Sequence, residues 1–421
     1  MKARKDPKGR ALRQGESYRK DGMYIYTYTN PFGKRSYVYS SDLGKLREKE
    51  EKLRKNQLDG LDVYTMQLAD LNYVFDRYIS NKTELRNNTY CNYVYTYNRY
   101  VRNTLGKRKI AEIKYSDILQ FYKCLVEKHN MAVSTLESVH TVLHPTFALA
   151  VRDDIIRNNP TDGVMAEVKK KSWGRTGGAR HALTLEQQTA FMDFLKTPEH
   201  HRWEPLFTVL LGTGCRISEV IGLRWEDIDL DKQIISINHG VTYYPRDPDT
   251  YVCKFEVALP KTEAGIRIIP MLPAVKEAFI EEKAIQDGLG IECMDEIDGM
   301  SGFIFCNRFG HLHNPAAINR VIKRITEDYN AIEMVKAKKQ RREPVLIPRF
   351  SCHHLRHTFC TRFCERETNV KVIQAVMGHA DITTTMNIYA DVTEQAKKES
   401  FENLAKNLDI FGSNNKACAV V

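Results

Sequence analysis

Between Ser17 and Tyr39 the apolar pattern has a period of two: Tyr24, Tyr26 and Tyr28 alternate with Met23, Ile25 and Thr27. That spacing predicts strands, and the turn signals Asp21-Gly22 and Pro31-Phe32-Gly33 cut the stretch into three. Leu43, Leu46 and Leu53 then recur at helical spacing. The expected unit is a three-stranded sheet with one aromatic face, its other face covered by one helix. Gln57 to Gly60 reads as a linker.

From Leu68 to Asp154 the period becomes helical. Leu68, Leu71, Phe75 and Tyr78 line one face; Tyr90, Tyr93, Val94, Tyr97 and Val101 line the next, which Gly106 ends. Ser116 is the expected N-cap of a third helix reaching His129. Leu136 to Arg152 gives a fourth, with Pro145 inside it and Asn158-Asn159-Pro160 after it. The tyrosine stripe reads as core rather than as a platform for stacked bases. A basic, glycine-bearing stretch, Lys169 to Arg180, marks a boundary.

Beyond it, Thr184-Leu185-Glu186-Gln187 has the form of a capping box opening a helix, and Trp203 to Leu211 makes another. Strands are expected at Ile234–Asn238, Val252–Leu259 and Ile266–Ile269, with Pro260-Lys261-Thr262-Glu263-Ala264-Gly265 as a hairpin turn joining the last two. Helices follow at 274–286, 315–328 and around His354, Val370 and Ile382, with Lys336 to Glu343 as a basic loop. Glu394 to Leu408 is amphipathic, with Phe401, Leu404 and Leu408 on one side. The pattern as a whole predicts a multidomain chain: an N-terminal three-stranded sheet plus helix (1–60), an all-α four-helix domain (61–168), a linker (169–181), a mainly-α domain with a small antiparallel sheet (182–411) and a tail (412–421).

Length agrees, since 421 residues exceed one core. The formal charge is +10, and 1–56 alone holds sixteen Lys/Arg against seven Asp/Glu. A basic head on a near-neutral body suits a polyanion-binding module. A disordered basic tail is the alternative, but a tail would lack the alternating aromatics. Ten cysteines without a C-x-x-C pair fit a reduced cytoplasmic protein. No apolar run approaches 18 residues, so no membrane partner is expected.

Candidate chemistry concentrates between Cys352 and Tyr389. His353 and His379 are nitrogen bases, Arg356 a fixed cation and Tyr389 a phenol; His379 follows Arg356 by 23 residues and precedes Tyr389 by 10. A planar guanidinium beside imidazoles is a ready phosphate binder, and the nucleophile in reach is the tyrosine. Upstream, Gly212-Thr213-Gly214-Cys215-Arg216-Ile217-Ser218-Glu219 adds an arginine at a helix start, and Lys261 adds an ammonium.

Arg216, Lys261, His353-x-x-Arg356, His379 and Tyr389, in that order, resemble the signature of the tyrosine recombinases. The likeness extends over almost the whole chain and is nearest to integrases of conjugative transposons, relatives of the lambdoid phage integrases. The resemblance implies that Arg216 and Arg356 neutralise a scissile phosphate, that Tyr389 attacks it to form a 3′-phosphotyrosyl link, and that His353 takes the phenol proton. It implies that Lys261 protonates the departing 5′ oxygen, His379 hydrogen-bonds the phosphate, and Glu219 orients the basic groups. It further implies double-stranded DNA with core and arm sites as partner, a homotetramer working through a Holliday junction, an excisionase and a DNA-bending host protein as accessories, and no metal or other cofactor. On that reading the sheet contacts DNA through Arg19, Lys20, Tyr24, Tyr26, Tyr28, Lys34 and Arg35, and the linker through Lys169, Lys170, Lys171 and Arg175. A small solvated sheet with charged edges and a solvated loop are the plain alternatives. A type IB topoisomerase or an inactive DNA-binding regulator are the competing functions. Zinc held by Cys352, His353, His354, His357, Cys360 and Cys364 is the competing chemistry, although these lack finger spacing.

Overall fold

The computed structural model describes residues 4–29, 35–58, 69–170, 182–245, 247, 250–260, 262–367, 369–383, 385–388 and 390. They form two compact units, Met1–Gly178 with Pro245–Val252, and Ala179–Tyr244 with Cys253–Val421.

The first unit opens with an antiparallel sheet in the order β1 (Glu16–Tyr18), β2 (Tyr24–Thr29), β3 (Arg35–Ser40). Helix α1 (Leu43–Leu58) follows, its first turn capped by the Asp42 carboxylate, and it runs through Gln57, where a linker was expected. Cross-strand partners share a face, and Tyr26 lies opposite Val38 while Thr27 lies opposite Tyr37. Tyr24, Tyr26, Leu43 and Leu46 are buried together, with Tyr28 and Val38 packed against them. The tyrosines of β2 therefore face the helix. This corrects the expected orientation: Tyr24, Tyr26 and Tyr28 belong to the covered side, and the open side carries Thr27, Arg35, Tyr37 and Tyr39. The physical reason is hydrophobic area: the covered face buries the rings of Tyr24 and Tyr26, with Tyr28 and Val38 beside them, against Leu43 and Leu46, whereas the other face carries Arg35, Thr27 and Thr29 among its apolar groups. Tyr24 keeps its hydroxyl satisfied there, donating to Asp6 Oδ2 at 2.8 Å and accepting from Arg10 Nη2 at 2.7 Å. On the open side the Arg19 guanidinium lies 5.8 Å from the Tyr39 ring centre.

The four expected helices are α2 (Leu71–Ser80), α3 (Asn87–Tyr100), α4 (Tyr115–His129) and α5 (Val133–Arg152). A short fifth, α6 (Val164–Lys170), occupies the start of the expected linker. Val164 and Val168, one turn apart, are fully buried in this core, which is why the chain becomes helical again after Pro160. The tyrosine stripe is core, with Tyr97 stacked on Phe75 at 3.6 Å between ring centres. Helix α4 is capped two residues earlier than expected, at Lys114 rather than Ser116, because the Asp117 carboxylate accepts from the Lys114 amide at 2.9 Å.

In the second unit the capping box at Thr184 and Gln187 opens α7 (Leu185–Leu195). Helices α8 (Glu204–Thr213), α9 (Ile217–Gly222), α10 (Pro273–Leu289), α11 (Pro315–Gln340), α12 (Cys352–Cys364) and α13 (Val370–Met377) follow. Helix α8 is apolar on several sides, with Leu206, Phe207, Val209 and Leu210 all buried, and it packs against α7, α10 and α12. Five strands lie among them: β4 (Ile228–Asp229), β5 (Ile234–Ile237), β6 (Gly240–Pro245), β7 (Cys253–Ala258) and β8 (Arg267–Pro270). They form one sheet in the order β4-β5-β8 and a separate pair β6-β7. The expected hairpin through Lys261 is thus a crossing between two sheets; β8 pairs with β5 because that places Ile235 beside Ile269, both buried. The expected basic loop at Lys336 is the end of α11, where Arg342 folds back onto Glu333 with two hydrogen bonds. Among the described residues no helix is long and apolar enough to cross a membrane.

Because Leu46 is wholly buried and Tyr37 half exposed, Leu46→Ala should lower amide-exchange protection in β2 by about 2–5 kcal/mol. Tyr37→Ala should change it by less than about 0.5 kcal/mol.

Candidate active site

Three short elements build the site. Helix α8 ends at Gly214 in the left-handed conformation (φ +62°), and the chain re-enters a helix two residues later at Arg216, the N-cap of α9. Glu219, three residues into α9, accepts from the Arg216 backbone N–H at 2.9 Å and from its Nη1 at 2.7 Å, so local capping geometry orients the guanidinium. A Cβ on Gly214 would stand 2.3 Å from the Phe359 ring, so glycine there lets α8 and α12 close together. Arg356, in the second turn of α12, is 4 % exposed and donates to the Gly214 carbonyl at 2.8 Å and the Met377 carbonyl at 2.6 Å. Helix α13 ends at Gly378, also left-handed (φ +61°), which turns the chain into His379. Arg216 Nη2 donates to the Gly378 carbonyl at 3.2 Å.

A further arginine, which the sequence reading did not single out, completes the group. Arg267, at the start of β8, donates to the Glu219 carboxylate at 2.9 and 3.3 Å and to the Val376 carbonyl at 2.7 Å. Its signal was faint because the strand alternation is masked: Ile266 and Ile268, its neighbours, are apolar yet exposed, while residue 267 points inward with Ile269. An inward arginine on a strand requires partners.

Three guanidiniums therefore surround one carboxylate. Burial would raise the Glu219 carboxyl, but the Arg267 hydrogen bond and charge, then the Arg216 amide and charge, hold it at about 2. Burial, then the charges of Arg216 and Arg267 against that of Glu219, lower Arg356 to about 10, so it stays cationic at neutral pH. His379 is lowered to about 4 by burial and then by Arg356, Arg216 and Arg267, which keeps its imidazole neutral. His379 Nδ1 lies 2.8 Å from the buried Thr385 hydroxyl. With that hydroxyl donating, the ring proton sits on Nε2, available to an incoming acceptor. The cluster has a surplus of positive charge on partly desolvated groups, an arrangement suited to a phosphodiester.

Of the sequence candidates, Arg216, Glu219, Arg356 and His379 come together. His353 is exposed on the first turn of α12, one helical turn before Arg356. Lys261 and Tyr389 lie outside the described residues; Ile388, just before Tyr389, packs on the cluster of Cys360, Cys364, Ile373 and Met377. Arg19, Lys20 and Arg35 are exposed, whereas Tyr24, Tyr26 and Tyr28 sit on the covered side of the sheet. Lys169 and Lys170 close α6, with Lys169 paired to Glu137 at 2.6 Å; Lys34, Lys171 and Arg175 lie outside the described residues. The Cys/His run of α12 does not converge. Cys352 is buried, Cys360 and Cys364 pack in an apolar cluster, and His354 Nδ1 contacts the Ser351 hydroxyl. Among the described residues the one group spaced to share an ion is His201, Glu204 and Glu281, on other elements.

The depressed His379 pKa has a sign that can be measured. Between pH 6.5 and about 4 the unfolded imidazole is protonated and the folded one is not. This group's stabilisation is therefore complete above pH 6.5 and is lost as pH falls. At ~1.4 kcal/mol per pH unit, the unfolding free energy should drop by up to about 2 kcal/mol more between pH 7 and pH 5 in the parent than in His379→Gln. Urea titrations at the two pH values read the difference.

Comparison with known proteins agrees with this geometry. The profile of the phage integrase family matches residues 181–396, that of the DNA binding domain of Tn916 integrase 1–57, and that of the phage integrase N-terminal SAM-like domain 71–126. The transposase from transposon Tn1545 of Streptococcus agalactiae is 31% identical over 418 residues, covering 96% of this chain and 97% of the relative. The transposase from transposon Tn916 of Enterococcus faecalis has the same identity and coverage. Among solved structures, the Tn1549 transposon integrase in complex with a circular intermediate DNA superposes with a TM-score of 0.66 at 26% identity, covering 78% of this chain and 99% of that one. A full-length relative and a catalytic-domain match, over a site that gathers two signature arginines, a glutamate and a histidine, establish that this chain belongs to the phage integrase family of tyrosine recombinases.

Proposed function

We propose that the chain integrates and excises a mobile element by cutting and rejoining double-stranded DNA through a 3′-phosphotyrosyl intermediate. The observation that carries the reading is the surplus of guanidinium charge around Arg356, a buried cation whose hydrogen-bonded partners are carbonyls rather than a carboxylate. A phosphodiester in this pocket meets Arg216 and Arg356, and the charge that grows on its oxygens in the pentavalent transition state is met by donors already in position. His379 adds a neutral N–H donor. Tyr389 attacks phosphorus as the bond to the 5′ oxygen breaks; His353 accepts the phenol proton, because a free phenol near pKa 10 is a weak nucleophile at neutral pH. Lys261 delivers a proton to the departing 5′ oxygen. Glu219 holds Arg216 in register. The tyrosyl ester retains the energy of the broken linkage, so rejoining calls for neither ATP nor a metal ion.

The same reading assigns 1–60 to arm sites, 61–168 and 182–411 to the two sides of a core-site clamp, and 169–181 to the linker between them. It implies a tetramer acting through a Holliday junction, with an excisionase and a DNA-bending protein setting direction. The corrected face of the N-terminal sheet changes which residues touch the arm site. Arg19, Arg35, Tyr37 and Tyr39 lie on the open side, and strands presenting such a face can enter a major groove.

Two experiments test the proposal. A nicked suicide duplex carrying the element's end should trap a covalent adduct with the parent, without metal or nucleotide. Tyr389→Phe should give none and bind as before, and Arg356→Ala should slow adduct formation by about 10²–10³. An adduct on any sequence indicates a topoisomerase, and none with the parent indicates a regulator. At the arm site, Arg35→Ala should weaken binding about 10-fold and lower the salt slope by about 1. Tyr24→Phe, a covered residue, should leave the slope unchanged; equal effects would place the contacts elsewhere.

A further inference from the structure

The structure assigns Arg267 as a positioning residue: its guanidinium holds Glu219 and the end of α13 together and so fixes where Arg216 and His379 stand. The side chain is 6 % exposed, so it is not placed as a surface contact for DNA. Its five donors are spread over four segments of chain. Nη2 and Nη1 reach the two oxygens of Glu219 on α9, Nε reaches the Val376 carbonyl on α13, Nη1 reaches the Gly265 carbonyl in the turn that precedes its own strand, and Nη2 lies 3.7 Å from Cys215 Sγ. A planar fork suits this bridging, and an ammonium on a flexible stem cannot reproduce it.

The consequence for Arg216 follows from sharing. Glu219 has one negative charge and two guanidinium partners, Arg216 at 2.7 Å and Arg267 at 2.9 Å. Without Arg267, that carboxylate would be free to neutralise Arg216 alone and turn with it. With Arg267 in place, Glu219 is pinned from the buried side, and Arg216, 43 % exposed, keeps donors for a phosphate. The second consequence concerns the turn. A Cβ on Gly378 would stand 2.9 Å from Arg267 Nη1 and 3.0 Å from the Ala264 carbonyl. The segment that follows Lys261 is thus packed directly beneath the residue preceding His379. Arg267 is the tie between them. The charged and titratable groups around Glu219 are Arg216, Arg267, Arg356, Cys215 and His379, of which Arg267 alone joins β8 to both α9 and α13.

The test is a double-mutant cycle of Arg267→Lys and Glu219→Gln in the full chain, with two readouts. One rests on the proposed chemistry: the single-turnover rate of adduct formation on the nicked duplex. Arg267→Lys should lower that rate at least 100-fold while DNA affinity changes less than 3-fold. In Glu219→Gln the same Arg267 change should cost no more than 3-fold further. The Arg267→Lys chain, which keeps Glu219, should also acquire an acid limb in its rate below pH 6, because the carboxylate has lost the arginine that favours its deprotonated form. The other readout needs no catalysis: urea unfolding between pH 4 and pH 7, in which the destabilisation from Arg267→Lys should shrink when Glu219 is glutamine. Arg267→Met, which fills similar volume without charge, serves if the lysine variant does not fold. Additive losses in the unfolding cycle, or a rate loss matched by an equal loss of affinity with an unchanged pH profile, would overturn the role. A parent chain that forms no adduct counts instead against the catalytic reading, and the unfolding cycle still decides the fate of Arg267.

Discussion

Three successive carbonyls at the C-terminal end of α13 each accept from a different arginine: Val376 from Arg267, Met377 from Arg356 and Gly378 from Arg216. A helix C-terminus carries partial negative charge and unpaired carbonyls, and cations are stable there. That is how three guanidiniums are brought together with a single carboxylate among them. The remaining repulsion is left for a ligand to relieve. The left-handed turn at Gly378 is a requirement of this arrangement, since the chain must reverse beneath Arg267 with no room for a side chain.

The energetic logic is that of a site prepared before its substrate arrives. Burial weakens the hold of Arg356 on its own proton, burial and then the three arginines keep His379 neutral, and both costs are borne by the fold. The core beneath makes this possible. Helix α8 is buried on several sides and delivers Gly214 and Arg216 at its end, α12 packs on it through Phe359, and α13 is held on α12 by Cys360, Cys364, Ile373 and Met377. A rigid apolar frame thus sets the spacing of polar groups that would otherwise separate.

Much of this was legible because the signature is local in sequence. Arg216 and Glu219 share one helical turn, as do His353 and Arg356, so their placement needed only helix periodicity and a cap. The misreadings share a different origin. Period two gives a sheet two faces but does not say which is covered, and both faces of the N-terminal sheet carry tyrosines. The helix settled it through Leu43 and Leu46. Strand pairing is non-local, so β8 was joined in sequence to β7, its neighbour, when the buried partners Ile235 and Ile269 join it to β5. Arg267 was hidden for the same reason, since only pairing shows which side of β8 faces in. The lysine run at the end of α11 reads as loop by charge, but the Glu333–Arg342 bridge secures that end as helix.

The central claim is that the arginine cluster is unsatisfied until a phosphodiester anion enters it. Isotope-labelled histidine NMR reports this directly through His379, whose titration in the free protein should fall near 4. Addition of a Tyr389→Phe complex with duplex DNA should raise it toward the ordinary value, because the anion offsets the surrounding cations. A duplex with an uncharged methylphosphonate at the scissile position should raise it far less. An imidazole that titrates near 6.5 without DNA, or that responds equally to both duplexes, would contradict the account.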